Sequence, residues 1–303
     1  MSCGTGQSDW FRAALATEAE SRFVEVDGCP IHYRIWPEAG CARRGMLFVH
    51  GSAAHARWWD HIAPSFVKDH AVAALDLAGM GDSGRRPRYS IHGFASEIAA
   101  VLRDAGFLSP QRPRPVVVAH SFGGFATAHL ALASPETIGG FVIVDSHLAV
   151  PDHLRIPAHS PFTTVVRTYA TEEEALARFR LIPAQPVPDA HILDHITRHS
   201  LRRTDDGWTW KFEGIQLSED NVGTAMFREM GRHLRDIRTP AALIYGERSV
   251  LVGPAIARHI AVSFPSPIPL VEIPNGHHHL MLDQPLALIG AIRGLLAGAE
   301  FKI

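Results

Sequence analysis

The chain has 303 residues, in which 29 Lys and Arg face 31 Asp and Glu for a net charge of −2, and 46% of the residues are hydrophobic. That composition belongs to a globular protein rather than a disordered or fibrous one, and the lack of a basic surplus argues against a polyphosphate partner such as nucleic acid. No stretch approaches the roughly 18 apolar residues of a membrane span, and no charge run marks a membrane surface, so the expected partner is a small, weakly charged molecule.

In chain order, Arg22–Val26 and Ile31–Trp36 read as a hairpin turned by Asp27-Gly28. Four short apolar runs follow: Met46–Val49, Ala71–Leu75, Pro115–Ala119 and Phe141–Val144. They are too short and too uniformly apolar for half-exposed strands, which predicts burial on both faces of a mostly parallel sheet. Ile91–Ala105 and Phe122–Ala133 carry helical patterns between them. After a long gap come strands Ala241–Tyr245 and Pro269–Ile273, then helix Pro285–Leu296 with proline at its start. Strands alternating with helices predict an α/β fold, a central sheet of about eight strands flanked by helices.

The gap itself, about His147 to Ile237, is rich in proline (Pro151, Pro157, Pro161, Pro183, Pro186, Pro188) and is too long for a plain loop. Its helix-like pieces, Glu172–Arg180 and Asp189–His199, are not separated by clear strands. It reads as a largely helical cap inserted between two strands, dividing the chain into 1–146 (core), 147–237 (cap) and 238–303 (core). Cys3, Cys29 and Cys41 are odd in number and lack a Cys-x-x-Cys pair, so neither a disulfide framework nor a cysteine zinc site is indicated. The opening residues lack the basic and apolar regions of a secretory signal, which leaves a cytoplasmic protein as the expectation.

The chemistry concentrates in Pro115-Val-Val-Val-Ala-His-Ser-Phe-Gly-Gly124. A buried strand runs into small residues, Ser121 sits at the apex, and a helix follows; such a turn pushes the serine out of the sheet, and Gly123 and Gly124 relieve the crowding it causes. The bland alternative is a strand–helix junction with a capping serine. With His50-Gly51-Ser52 after the third strand, Asp76-Leu-Ala-Gly-Met-Gly-Asp-Ser83 after the fourth, the serine turn, and Asn275-Gly-His-His-His-Leu-Met-Leu-Asp-Gln-Pro285 near the C-terminus, the chain resembles the α/β-hydrolase family over nearly its whole length. Ala119 stands where that family usually has glycine.

The resemblance implies a serine nucleophile at Ser121, with an oxyanion hole formed by the backbone N–H groups of Phe122 and Ser52. It implies a histidine base seven residues before Pro285, which is His278; counting forward from Gly276 gives His277 instead. The acid is less direct. The family often carries an Asp three residues after the glycine that ends the penultimate strand, and here that place is Ser249, which cannot stabilise an imidazolium as a carboxylate does. Asp145, at the end of the preceding strand, is the preferred substitute; Glu247 and a Ser–His dyad stay open. Asp76 and Asp82 read as turn-holding residues that bond backbone groups around Gly79 and Gly81. The 19 histidines raise the question of a metal, but no His-Glu-x-x-His helix is present and three adjacent imidazoles do not easily reach one ion, so no metal and no cofactor are expected.

A serine rather than a carboxylate nucleophile disfavours epoxide-hydrolase and haloalkane-dehalogenase chemistry. The resemblance therefore implies a carboxylesterase acting through an acyl-enzyme, with Phe162, Tyr169, Phe179, Trp208, Trp210 and Phe212 of the cap as surface for an apolar or aromatic group. Hydrolysis of a carbon–carbon bond in a meta-cleavage product, or a ligand receptor built on a hydrolase fold, are the alternatives.

Overall fold

The computed structural model describes residues 8–37, 43–154, 167–213 and 224–298. Helix α1 (Asp9–Leu15) precedes the hairpin of β1 (Glu20–Val26) and β2 (Cys29–Ile35). Its turn residues Asp27 and Gly28 both adopt positive φ, 47° and 73°, the backbone that matches the twist of the flanking strands. Next come β3 (Gly45–Val49), 3-10 turns at Ala56–Trp59 and Ala63–Phe66, β4 (Ala71–Leu75), α2 (Ile91–Asp104), β5 (Val116–His120), α3 (Phe122–Ala133) and β6 (Gly140–Val144). After the insertion the core resumes with β10 (Ala241–Gly246), α7 (Pro254–Ser263), β11 (Leu270–Ile273), α8 (Leu280–Asp283) and α9 (Pro285–Ala297).

The eight core strands form one sheet in the order β1-β2-β4-β3-β5-β6-β10-β11. The first three are joined antiparallel, β1 to β2 to β4; every other neighbouring pair is parallel. Side chains alternate between two apolar layers. Leu47, Val49, Val117, Ala119, Phe141 and Ile143 pack on one face with α2, α3 and α7, while Met46, Phe48, Val116, Val118, Val142 and Val144 pack on the other with α9. Because both faces are covered, the strands need no polar positions, which is why they read as continuous apolar runs. Among the described residues no helix is long and apolar enough to cross a membrane.

The insertion departs from the sequence expectation. Helices α4 (Glu172–Leu176), α5 (Ala190–His199) and α6 (Thr224–His233) are present, but β7 (Thr168–Tyr169), β8 (Leu201–Thr204) and β9 (Gly207–Trp210) form a second, antiparallel sheet in the order β7-β9-β8. Its tight turn is Asp205-Asp206, after which Gly207 takes φ 127°; a Cβ there would meet the Tyr169 carbonyl oxygen at 2.3 Å, so only glycine lets the strands close. Tyr169, Phe179, Trp208, Trp210 and Phe212 pack together with Ala175 and Leu201 as a satellite cluster. These aromatics hold the insertion together; Phe162 lies outside the described residues.

Candidate active site

All the turns of interest leave the C-terminal ends of parallel strands, the edge where ligands bind in open α/β sheets. At the end of β5, Ser121 has φ 49°, a conformation that costs a non-glycine residue about 1–3 kcal/mol. The surroundings impose it. The Ser121 N–H donates to the Val144 carbonyl at 3.0 Å, and its own carbonyl accepts from Gly124 N–H at 2.9 Å. A Cβ on Gly123 would come within 2.6 Å of the His50 carbonyl oxygen, and one on Gly124 within 2.6 Å of Ser146 Oγ. Glycine at the two places lets α3 start directly against the turns after β3 and β6, while the Ala119 methyl fits the sheet core, 0% exposed.

The Ser121 hydroxyl lies 3.1 Å from Nε2 of His278. Nδ1 of His278 lies 2.7 Å from Oδ1 of Asp145. His278 is 3% and Asp145 0% exposed. The three residues come from the ends of β5 and β6 and from the loop after β11, up to 157 positions apart. Asp145 has a positive φ of its own, 45°, and its other oxygen accepts Gly246 N–H at 2.9 Å. Burial pushes its carboxyl up to about 7, against the opposing pull of the Ser249 and Gly246 hydrogen bonds.

Ser249, in the place where an acid was expected, donates its hydroxyl to Asp145 Oδ1 at 2.6 Å. The same Oγ accepts Leu251 N–H at 3.2 Å and Val252 N–H at 3.1 Å. Those two bonds occupy its lone pairs, so its proton is aimed at the carboxylate. Nothing in the local sequence marks this, since the partners are 104 positions apart.

The other candidates lie elsewhere. Glu247 is exposed and accepts Asn275 N–H at 2.7 Å. His277 directs Nδ1 to Asp283 Oδ2 at 2.8 Å, and the same oxygen accepts the His277 N–H. Asp76 is held well below the usual carboxylate range: burial alone would raise it, but His32 Nδ1 at 2.7 Å prevails together with N–H donors from Ala56 and Asp82. Asp82 differs from the expectation, because its carboxylate pairs with Lys211 Nζ at 2.6 Å instead of a backbone group.

Phe122 begins α3, where the helix dipole favours negative charge. Gly51 lies against Ser121, since a Cβ on it would be 3.0 Å from the Ser121 Cβ. The Ser52 N–H, next in that turn, makes no hydrogen bond within the described residues. His120, just before Ser121, is buried and held down to about 3 by desolvation, hence neutral; its Nε2 donates to the His278 carbonyl at 3.0 Å. The insertion reaches this same edge. Gln185 brackets the His279 backbone, His55 bonds Ser200 at 2.8 Å, and Gly81 N–H donates to the Lys211 carbonyl at 2.7 Å. Trp58 stacks edge-on against His279, with ring centroids 5.3 Å apart.

A family model described as "Alpha/beta hydrolase family" matches residues 46–291. Esterase Rv0045c of Mycobacterium tuberculosis is 28% identical over 260 residues, covering 83% of this chain and 82% of that protein. A solved structure of that esterase, titled for its transition metal inhibition, matches 97% of this chain and 100% of its own at TM-score 0.71 and 24% identity. Lipase LipV of the same organism is 34% identical over 120 residues, 40% of this chain and 43% of the lipase. A crystal structure of E-2-(acetamidomethylene)succinate hydrolase reaches TM-score 0.75 at 19% identity, covering 93% of this chain and all of that one.

Proposed function

The chain belongs to the alpha/beta hydrolase family, and from that premise we propose that it is a serine esterase, cleaving a carboxylic ester with an apolar or aromatic group through an acyl-enzyme on Ser121. The observation that carries this reading is the unbroken run of contacts from Ser121 Oγ to His278 Nε2 at 3.1 Å and from His278 Nδ1 to Asp145 at 2.7 Å. As Ser121 Oγ attacks the ester carbonyl, its proton passes to His278 Nε2. Asp145 accepts the Nδ1–H, fixes the tautomer and stabilises the imidazolium. The carbonyl oxygen becomes an oxyanion held by the N–H groups of Phe122 and Ser52, the first assisted by the α3 dipole; one such donor is worth about 3–4 kcal/mol. The tetrahedral intermediate collapses, the alcohol leaves with the proton from His278, and water repeats the cycle on the acyl-serine.

The likeness to an esterase and a lipase supports ester chemistry. Residues 147–237 are proposed as the cap that sets substrate choice, supported by the bonds from Gln185, Ser200 and Lys211 to the turns around Ser121. Sensitivity to transition metals, the subject of the mycobacterial esterase structure, is proposed for this chain as well. The test is a fluorophosphonate probe with a panel of esters and carbon–carbon substrates. The reading requires labelling of wild type, no labelling of Ser121→Ala, and turnover of esters. Labelling without turnover of any ester would favour carbon–carbon hydrolysis, and equal labelling of both proteins would favour a receptor.

A further inference from the structure

Three histidines meet beside Ser121, and they are not the three that are adjacent in sequence. His277 turns away to Asp283, and His120 takes its place against His278 and His279. One ring nitrogen from each of His120, His278 and His279 lies within 4.8 Å of the other two, and the residues are 2%, 3% and 5% exposed. The centroid separations are 4.7 Å for His120–His278, 4.7 Å for His278–His279 and 5.5 Å for His120–His279.

Hydrogen bonding fixes what two of these rings can offer. His120 donates Nε2–H to a carbonyl, which cannot donate in return, so in the neutral ring Nδ1 carries the lone pair; that atom is buried and has no hydrogen-bond partner. His278 donates Nδ1–H to Asp145, which leaves the lone pair on Nε2, facing the Ser121 hydroxyl. Both arrangements are those of metal-ligating histidines, whose second nitrogen is anchored to a carbonyl or carboxylate. His279 is the third. Neither of its ring nitrogens makes a hydrogen bond of good geometry although both are buried, with the Ile182 and Pro183 carbonyls nearby to receive a proton.

We propose that His120, His278 and His279 bind one Zn²⁺, or a similar first-row transition ion, as an acquired inhibitory ligand. Imidazole donors suit zinc, copper and nickel, and three of them leave a fourth position for water. A tetrahedral ion with Zn–N bonds of about 2.0–2.1 Å needs nitrogens roughly 3.3 Å apart. The rings must therefore close inward, and the His279 side chain, whose ring nitrogens make no hydrogen bond of good geometry, is the one able to turn. That adjustment makes the ion a reversible ligand rather than a resident cofactor. Inhibition follows because the ion occupies the lone pair on His278 that would take the serine proton; this consequence rests on the reading of Ser121 and His278 as nucleophile and base.

The test is equilibrium dialysis of metal-free protein against Zn²⁺, with Co²⁺ as a spectroscopic probe. Wild type and His277→Gln should each take up one ion in this site and give the visible absorption of tetrahedral Co²⁺. In His279→Gln the affinity should fall by at least about tenfold, and the zinc concentration that halves turnover should rise by the same factor, read as the ratio of inhibited to uninhibited rate. If that variant does not fold, wild type labelled on Ser121 with fluorophosphonate, which crowds His278 Nε2, should lose the Co²⁺ spectrum. Zinc uptake that neither change diminishes, or that His277→Gln abolishes, would overturn the site. Because dialysis needs no turnover, the two failures separate: zinc uptake without ester hydrolysis strikes the esterase reading, and a labelled serine without zinc uptake strikes the metal site.

Discussion

Replacing Ser249 by alanine removes one hydrogen bond and nothing else from the Asp145 carboxylate. The lost bond is short, 2.6 Å, and ends on the oxygen that also receives His278 Nδ1–H. A hydrogen bond to a charged group is worth about 1.5–3 kcal/mol, and about 1.36 kcal/mol corresponds to one pK unit. Asp145, raised by burial to about 7, should therefore rise to about 8–9 in the variant. A protonated Asp145 cannot balance the imidazolium, so activity is lost as pH falls through this ionisation, which belongs to the Asp145–His278 pair. The acid limb of kcat/KM should move toward alkaline pH by about 1–2 units, with a loss of about 5- to 50-fold at pH 7 that closes at high pH. The assay is a pH–rate profile with a chromogenic ester, and Ser249→Thr, which keeps the hydroxyl, should stay near wild type. An acid limb in Ser249→Ala that coincides with that of wild type would refute the reasoning.

Asp145→Asn should lower turnover by several orders of magnitude, on the order of 10⁴ by analogy with other serine hydrolases, whereas Glu247→Gln, altering a side chain that only holds Asn275, should leave steady-state rates nearly unchanged. In the Asp145→Asn background, Ser249→Asp should restore part of the turnover, since the new carboxylate enters from the neighbouring strand end; no gain over the single variant would count against that geometry. Gly123→Ala should destabilise the protein by about 1–3 kcal/mol, read as a lower thermal midpoint, because its Cβ would meet the His50 carbonyl at 2.6 Å. Asp76, held below the usual range by His32, contributes stability that is complete above about pH 4 and drains as pH falls below it; in Asp76→Asn, denaturation midpoints should lose that part of their pH dependence.

Local signals carried much of the fold. Ala71–Leu75 and Phe122–Ala133 match the observed elements end to end, because a strand buried on both faces and a helix buried nearly all round leave unmistakable apolar runs. Ser121 was legible for the same reason: strand, turn glycines and helix adjoin in sequence. The small sheet in the insertion was not, since Leu201–Thr204 and Gly207–Trp210 are short and carry polar residues. The one available cue is Gly207 directly after the Asp205-Asp206 pair. Asp145 emerged through what Ser249 lacks, but the bond joining the two is a tertiary fact with no local trace. In sequence His120 reads only as part of the serine turn, because its approach to His278 and His279 depends on sheet order, which brings β5 and the β11 loop to one edge.

Placing the proposed acid, Asp145, directly after β6 has a mechanical consequence. β5 and β6 are hydrogen-bonded neighbours in register, with Ala119 opposite Ile143 and His120 opposite Val144, and the Ser121 amide itself is tied to Val144. The proposed nucleophile and acid thus ride on one stiff plate, and their separation is set by ladder bonds in the middle of the sheet. Only the imidazole arrives on a loop. The segment after β10 is relieved of holding the proposed acid and instead braces the imidazole's loop, through Arg248 N–H to the Gly276 carbonyl at 2.8 Å and the Glu247 carboxylate on Asn275 N–H at 2.7 Å, so substitutions there act on the position of His278 rather than on that of Asp145.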